Sequence, residues 1–258
     1  MNGFCPLASG SKGNSIFLGT PNTRVLIDAG IGIRNLEKRL KEIDVELDTI
    51  QAVLITHEHI DHIRSVVQLA RDRKIPILAN GETAKGITEV LDYRPRFKIF
   101  TTGEPFSFGD LEVHPFGIPH DALDPVGFVI HTMGRKIGFC ADLGYTTSLV
   151  RKMLERSDYL YLEANHEPSM VHASVRPDVY KKRVLSRQGH LSNEACAELL
   201  SYLVHDGLKH VHLAHLSGEC NSEEVALQRV KNALASNGGH VEVSIAYQES
   251  VSRKVLWD

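Results

Sequence analysis

Short apolar runs and amphipathic segments alternate along the chain. The runs 24–27 and 52–55 consist largely of aliphatic and β-branched residues, which is typical of buried strands. Between residues 33 and 43, apolar side chains recur every three or four positions and predict a helix with one buried face. The segment 81–91 also has a helical pattern, and the glycine-rich stretch 9–15 marks a tight turn between two strands. The first third of the chain therefore combines strands with helices.

The rest of the chain is first strand-rich and then alternates again. We predict successive strands between residues 97 and 140. Helix, strand, helix, helix, strand, helix and strand follow, near 147–156, 159–162, 177–187, 193–204, 211–214, 223–235 and 241–245. Ser192 and Ser222 are placed to cap two of these helices. The order predicts an α/β fold with two sheets and helices outside them, in a single domain spanning 1–258.

Composition narrows the class of protein. The 258 residues are 42% hydrophobic and 24% charged, which are ordinary globular values, and the net charge of −3 gives no overall basic field for nucleic acid. The four cysteines are scattered, as is usual for reduced thiols. Neither a signal peptide nor a run of membrane-spanning length is evident. We therefore expect a cytoplasmic protein that does not enter a membrane; its oligomeric state is left open.

One loop concentrates the chemistry. Thr56–His62 places three imidazoles and two carboxylates in seven residues, directly after the strand 52–55. Zinc, manganese and iron accept these ligands, and ligand sites in α/β sheets lie just beyond the carboxyl ends of strands. Three further residues of the same type follow later strands: His120, Asp142 and His215. The loop and these strand ends together predict a metal site rather than a solvated polar loop.

These residues resemble the ligand set of the metallo-β-lactamase-fold hydrolases. The resemblance implies a four-layered αββα sandwich with two divalent ions per chain, which could be Zn, Mn or Fe. It assigns these residues to the two ions, with Asp142 bridging them: His57, His59 and His120 to the first, and Asp61, His62 and His215 to the second. Asp28 would not bind a metal itself but would hold the ligands of the metal loop in position.

Two further motifs resemble the bacterial YycJ (WalJ) subfamily. They are Glu163–His166 and Gly189–Asn193, and related motifs extend from residue 9 to 217, so the resemblance covers nearly the whole chain. It implies a DNA exonuclease or phosphodiesterase. The chain departs from the subfamily pattern at Ile60, at Glu167 and at 176–180, and the last two departures concern substrate contacts rather than metal ligands.

The predicted chemistry is hydrolysis by a metal-bridging hydroxide. Two cations about 3.5–4 Å apart can hold such a nucleophile and a phosphoryl oxygen together. Asp61 and His190 are the predicted catalytic residues. His190 is surplus to the metals, and an imidazole suits protonation of a sugar alkoxide near neutral pH. The alternative for His190 is a loop histidine that bonds the backbone.

Five residues are predicted to contact the substrate, which we expect to be nucleic acid or a small phosphodiester. They are His166, Asn193, Lys181, Lys182 and Arg187. A structural hydrogen bond is the alternative for His166, and a solvated face is the alternative for the basic residues. Six further histidines are expected on strands or at the surface: His114, His131, His205, His210, His212 and His240.

Two other classes of function stay open at this point. One is a thioester or lactone hydrolase on the same fold, and the other is a metal-stabilised binding protein without turnover. The interval 143–214 is too short for the second domain of the long RNA-processing relatives. A secreted β-lactamase is disfavoured by the missing signal peptide and by Asp142, since the common antibiotic-hydrolysing enzymes do not bridge their metals with an aspartate.

Overall fold

The structure is a computed structural model and describes residues 1–236 and 241–257. The strands are β1 Gly3–Ala8, β2 Ser15–Gly19, β3 Arg24–Ile27, β4 Ala52–Leu54, β5 Ile77–Asn80, β6 Phe97–Phe100, β7 Phe106–Phe108, β8 Leu111–Gly117, β9 Val126–Thr132, β10 Arg135–Cys140, β11 Tyr159–Glu163, β12 His210–Ala214, β13 Glu242–Ile245 and β14 Val255–Leu256. The helices are α1 Ile33–Lys41, α2 Ile60–Ile63, α3 Val66–Asp72, α4 Gly81–Leu91, α5 Ser148–Leu154, α6 Pro168–Ala173, α7 Asp178–Val184, α8 Asn193–Leu203 and α9 Glu223–Ser236, with a 3-10 turn at Leu47–Thr49.

These strands form two sheets. The first has the order β14-β1-β2-β3-β4-β5-β6, and the second has the order β13-β12-β11-β10-β9-β8-β7. Pairing is parallel from β3 to β6 and from β10 to β13. It is antiparallel between β9 and β10 and from β14 through β1 and β2 to β3. The predicted two-sheet α/β fold is confirmed.

Contacts divide the chain into two compact units. Unit 1 comprises Met1–Pro115, Ala122–Val126 and Ala246–Asp258, and unit 2 comprises Phe116–Asp121 and Gly127–Ile245. In unit 1, Leu36 and Leu40 of α1 and Leu69 of α3 pack in the same core as strands β3 to β5. The predicted apolar stripe of α1 is therefore the face that this unit buries.

Unit 2 has a core of its own. The apolar side chains of β11 and β12 lie in one cluster with Leu154 of α5, Leu200 of α8 and Val230 of α9. Ser192 caps α8 by accepting a hydrogen bond from the Ala195 amide, and Ser222 accepts one from Val225, as predicted. Both caps accept hydrogen bonds from backbone N–H groups that have no partner within the first turn of a helix.

The elements differ from prediction in a few places. The predicted helix 177–187 is shorter in the structure and ends at Val184. The short helix α6 and the terminal strand β14 were not predicted, although Pro168 at the first turn of α6 is a common helix-start signal. His210 and His212 lie buried on β12, while His240 lies outside the described residues. Within the described segments, every helix is too short or too polar to cross a membrane.

Candidate metal and catalytic site

The predicted metal loop begins where β3 and β4 end side by side. Asp28 follows β3 in the left-handed backbone conformation, with a φ of 60°, and its amide donates to the carbonyl of Leu54 on β4. A non-glycine residue with such a φ is uncommon and often marks a functional position. Gly30 lies so close to the Asp61 backbone that an added Cβ would be 1.5 Å from the carbonyl oxygen. The segment after β3 therefore packs directly against the backbone of the metal loop Thr56–His62.

Asp28 orients two of the predicted ligands. Its carboxylate accepts hydrogen bonds from Nδ1 of His62 at 2.8 Å and from the amide and hydroxyl of Thr56, each at 2.9 Å. Because the Thr56 hydroxyl donates to Asp28, Nδ1 of His57 donates to Thr56 Oγ1 at 2.9 Å. Both rings therefore carry their lone pair on Nε2. This is the arrangement that a metal-ligating histidine adopts when a carboxylate holds its other ring nitrogen.

The other loop residues lie beside these two rings. The His57 ring centroid is 4.6 Å from that of His59 and 4.0 Å from that of His62. Asp61 Oδ2 lies 3.7 Å from His62 Nε2. Asn14 donates to His62 Nε2 at 3.0 Å and to Asp61 Oδ2 at 3.3 Å. Unit 1 thus brings together His57, His59, Asp61 and His62, and adds Asn14, to which the sequence analysis gave no role.

Unit 2 holds the other predicted ligands. Asp142 and His215 follow β10 and β12, and both have left-handed backbone conformations, with φ of 55° and 54°. Nδ1 of His215 lies 2.9 Å from Asp142 Oδ1, and Nε2 of His120 lies 3.9 Å from the same oxygen. All three side chains are buried. The three strand-end residues of this half therefore meet around the Asp142 carboxylate.

Glu163, at the end of β11, is fully buried beside them. Its Oε2 accepts hydrogen bonds from the amides of Leu143 and Leu191, at 2.6 and 3.2 Å. Its Oε1 lies 2.8 Å from Nδ1 of His190 and 3.2 Å from Nδ1 of His215. Burial alone would raise the pKa of Glu163, but the charge of His190 and the hydrogen bonds from both imidazoles outweigh it, and the pKa lies below its usual value. Glu163 is therefore an ionised acceptor.

His190 is held at two points. Its side chain donates from Nδ1 to Glu163, and its amide donates to the carbonyl of Val184. The ring lies 3.5 Å from Asp142 Oδ1 through Nδ1, and its centroid is 5.1 Å from that of His215. Because Nδ1 is occupied, Nε2 is the nitrogen that can exchange a proton with another molecule.

Glu163 is the main residue that the sequence analysis did not assign. It appeared there only as part of a motif, with no role of its own. The sequence does contain an indication of its role, because Glu163 directly follows the apolar run 159–162, just as Asp28 follows the run 24–27.

The charges around His215 bear on metal binding. Burial would lower its pKa, but the carboxylates of Asp142 and Glu163 raise the pKa of His215 to about 10. At His120, burial is the larger effect and lowers the pKa, against the opposing influence of Asp142. A cation that binds His215 must therefore displace a proton at neutral pH, as metal binding to imidazole commonly does.

The donor chemistry of each half fits divalent metal ions. In unit 2, one donor atom from each of Asp142, Glu163, His190 and His215 lies within 4.8 Å of the others. In unit 1, the lone pair of the oriented His62 imidazole lies 3.7 Å from the Asp61 carboxylate, and the His57 ring lies beside that of His62. Buried nitrogen and oxygen donors at this density are the ligands that zinc, manganese and iron share.

The two motif residues predicted to contact the substrate have different surroundings. His166 is buried, and its Nδ1 lies 3.3 Å from Asn165 Oδ1. Asn193 is fully buried, and its amide exchanges two hydrogen bonds with that of Asn221, at 2.8 and 2.9 Å. The structure therefore gives Asn193 an internal hydrogen-bonding role, and its contact with the substrate stays a prediction.

The predicted basic residues lie on and after α7. Lys181 donates to the carbonyl of His172, and Lys182 and Arg187 are exposed. The guanidinium carbon of Arg187 lies 4.1 Å from the ring centroid of Tyr145. Arg183, between them, pairs with Asp121 at 2.6 Å. Three of the four cations in this segment therefore have partners within unit 2, and their contact with phosphate stays a prediction.

Comparisons with known proteins identify the family of this chain. Residues 23–213 match the model of the beta-lactamase superfamily domain family. The chain is 34% identical to an exodeoxyribonuclease YycJ of Bacillus anthracis over 237 residues, which are 91% of this chain and 90% of the relative. It is 35% identical to an exodeoxyribonuclease WalJ of Streptococcus pneumoniae over 234 residues, covering 89% of this chain and 87% of the relative.

Solved structures agree on the fold. The metallo-beta-lactamase fold protein YhfI of Bacillus subtilis superposes with a TM-score of 0.71 at 16% identity, covering 99% of both chains. Zinc-bound PqqB of Methylobacterium extorquens superposes with a TM-score of 0.72 at 17% identity, covering 96% of this chain and 98% of that one. The predicted family and fold class are confirmed. The chain belongs to the beta-lactamase superfamily and, within it, to the family of the exodeoxyribonucleases YycJ and WalJ.

Proposed function

We propose that the protein is a metal-dependent phosphodiesterase that removes nucleotides from the end of a DNA strand. The observation that carries this proposal is His190, bonded to buried Glu163 and placed beside Asp142. A proton donor next to a proposed metal ligand suits a reaction whose leaving group is an alkoxide. The names of the relatives favour a nuclease over a thioester or lactone hydrolase.

We propose two divalent ions as cofactors, and the residues that would hold them are those predicted from the sequence. They are His57, His59, Asp61, His62, His120, Asp142 and His215. Divalent ions, when bound, polarise a phosphoryl oxygen and lower the pKa of water. Zinc, manganese and iron all suit these donors. Asp28 would act through the orientation of His57 and His62.

The chain's own residues supply proton transfer and orientation. His190 would hold a proton on Nε2 and give it to the leaving sugar oxygen, while Glu163 holds Nδ1 and so fixes the ring. Asp61 would act as ligand and catalytic residue, with its carboxylate oriented by Asn14. A positioned proton donor typically contributes about 10²–10⁴-fold to the rate.

Contacts to the nucleic acid are proposed for the basic segment and for His166. Lys182 and Arg187 are exposed cations that a phosphate backbone can reach, and Lys181 lies beside them. Such contacts give affinity without sequence preference.

Location in the cytoplasm remains a prediction.

A substrate panel tests the proposed function. Purified protein is loaded with manganese or zinc and assayed on single- and double-stranded oligodeoxynucleotides, oligoribonucleotides, a phosphomonoester, a phosphodiester and a thioester. We expect release of nucleotides from DNA ends that a chelator abolishes. Turnover of the thioester alone would contradict the proposal, and so would metal-loaded protein that is inert on every phosphodiester.

A further inference from the structure

A cavity of about 450 Å³ opens beside His190 in unit 2. Its wall includes Tyr145, Thr146, Arg151 and His166. Ligand sites commonly have this size. Because His190 also lines the cavity, a molecule bound there would lie next to the proposed proton donor.

His166 offers this cavity a hydrogen-bond acceptor. Asn165 Nδ2 donates to the carbonyl of His215, so its Oδ1 is free to accept from Nδ1 of His166, at 3.3 Å. Burial lowers the pKa of His166 to about 4, against the opposing charge of Glu163. The imidazole is therefore neutral at pH 7, with its proton on Nδ1 and its lone pair on Nε2.

Two residues that line the cavity each have a buried polar atom without a hydrogen-bond partner among the described residues. These atoms are Oγ1 of Thr146 and Nε of Arg151. Leaving a buried donor unsatisfied is costly, and such groups in native proteins call for an explanation. A ligand with its own acceptor and donor groups would supply the missing partners of the hydroxyl and guanidinium and would use the lone pair of His166.

The charge of the wall is balanced. Arg151 is 3.3 Å from Glu198, which also lines the cavity, and His166 is neutral. A phosphate would meet no unpaired cation here, because His190 is already bonded to Glu163. Tyr145 adds a half-buried ring, held in place by the guanidinium of Arg187 at 4.1 Å. An aromatic ring beside neutral donors and acceptors suits a planar, uncharged heterocycle.

We propose that this cavity binds a nucleobase, namely that of the nucleoside whose sugar oxygen leaves. This inference rests on the proposed function, since it takes His190 as the proton donor to that oxygen. A base enclosed in the cavity cannot remain paired or stacked in a duplex. The cavity therefore selects unpaired strand ends, and Thr146, Arg151 and His166 read the edge of the base.

Abasic substrates test the proposal. Oligonucleotides carry a tetrahydrofuran in place of the nucleoside on one side of the scissile phosphate or on the other. Removal of the base on the leaving side should lower kcat/KM about 10- to 100-fold, the range expected for loss of a stacked base. Removal on the opposite side should have a much smaller effect and serves as the internal control. Equal rates for the intact substrate and the substrate abasic on the leaving side would overturn the proposal.

A substitution at Thr146 tests which wall group is involved. Thr146→Val keeps the shape and removes an unsatisfied buried hydroxyl, so the variant should fold with an unchanged or higher Tm. It should raise KM for the intact strand about 3- to 10-fold, the effect of one neutral hydrogen bond, and leave the abasic strand unaffected. Thr146→Ser should restore the wild-type KM, and Thr101→Val on the exposed surface should change nothing. A Thr146→Val variant with wild-type KM on the intact strand would count against the proposal.

A binding measurement separates this proposal from the proposed function. An oligonucleotide with 2-aminopurine as its terminal base is titrated with metal-free protein, and its fluorescence is followed. A fluorescence change that weakens in Thr146→Val but not in Thr101→Val would support the base site even if metal-loaded protein cleaved no DNA. The absence of any change on saturation, in protein that does hydrolyse DNA, would overturn the base site and leave the proposed function standing.

Discussion

Oε1 of Glu163 lies 2.8 Å from Nδ1 of His190, and both residues belong to unit 2. Glu163 is fully buried, and two backbone amides donate to its other oxygen. Its position is therefore set before any substrate binds. A carboxylate fixed in this way gives the imidazole one orientation and keeps the proton of Nδ1 in place.

Glu163→Gln should impair catalysis through His190. The amide keeps the size of the side chain but loses the charge that holds His190, so kcat on oligonucleotides should fall about 10- to 100-fold. Added to His190→Ala, the change should cost little more, because the two residues act as one unit. Steady-state kinetics of the single and double variants measure this. Full additivity of the two losses would show that Glu163 acts elsewhere, and Glu46→Gln, on an exposed glutamate, is the matched control.

Asp28→Asn should weaken metal binding without disturbing the backbone. Asparagine tolerates the left-handed conformation that Asp28 adopts, so the change removes the charge and spares the turn. Metal affinity should fall about 10- to 100-fold, because His57 and His62 lose the carboxylate that orients them. Competition with a chromophoric chelator measures the affinity. Asp44→Asn, at an exposed position with a φ of 58°, is the matched control; equal affinities of the two variants would refute the bracing role.

Asp142→Asn should weaken both metals together. Asp142 is the proposed bridging ligand, and the neutral amide is a poorer ligand for either ion. Elemental analysis of protein dialysed at a fixed free metal concentration should show both equivalents decreasing in parallel. Asp92→Asn, exposed and with a φ of 46°, should retain both. One tightly held equivalent that is indifferent to Asp142→Asn would contradict the bridging role.

Reversal of the basic segment should raise KM on DNA. When Lys181, Lys182 and Arg187 are changed to Glu, the slope of log KM against log salt should flatten by about 0.7 for each lost contact with a single strand. Reversal of Arg34, Lys38 and Lys41, exposed on α1, changes the net charge equally and controls for it. If the salt slope is the same in both triple variants, the segment only faces solvent.

Much of the site could be predicted because it is local in sequence. Apolar runs define β3, β4, β10 and β12, and a polar residue at or near the end of each run is a predicted ligand or its support. Parallel pairing then places neighbouring ends at one edge of a sheet. The left-handed conformations of Asp28, Asp142 and His215 could not be predicted from the apolar runs.

The remaining features depend on long-range pairing. Glu163 meets His190 across 27 residues, and Asn14 meets His62 across 48. β14 pairs with β1 between opposite ends of the chain, with Gly3 opposite Leu256. The internal role of Asn193 requires Asn221, which belongs to no motif. Each of these contacts depends on which segments the fold brings together, and the spacing of apolar residues along the chain does not predict that.

The assignment of His190 as the proton donor is the central claim, and one comparison of two substrates tests it. His190→Ala should keep its metal content and lose about 10²–10⁴-fold in kcat on an oligonucleotide, whose sugar alkoxide must be protonated as it leaves. On a nitrophenyl phosphodiester, whose phenolate leaves without a proton, the loss should be much smaller. Equal losses on the two substrates, or loss of metal from the variant, would contradict the account.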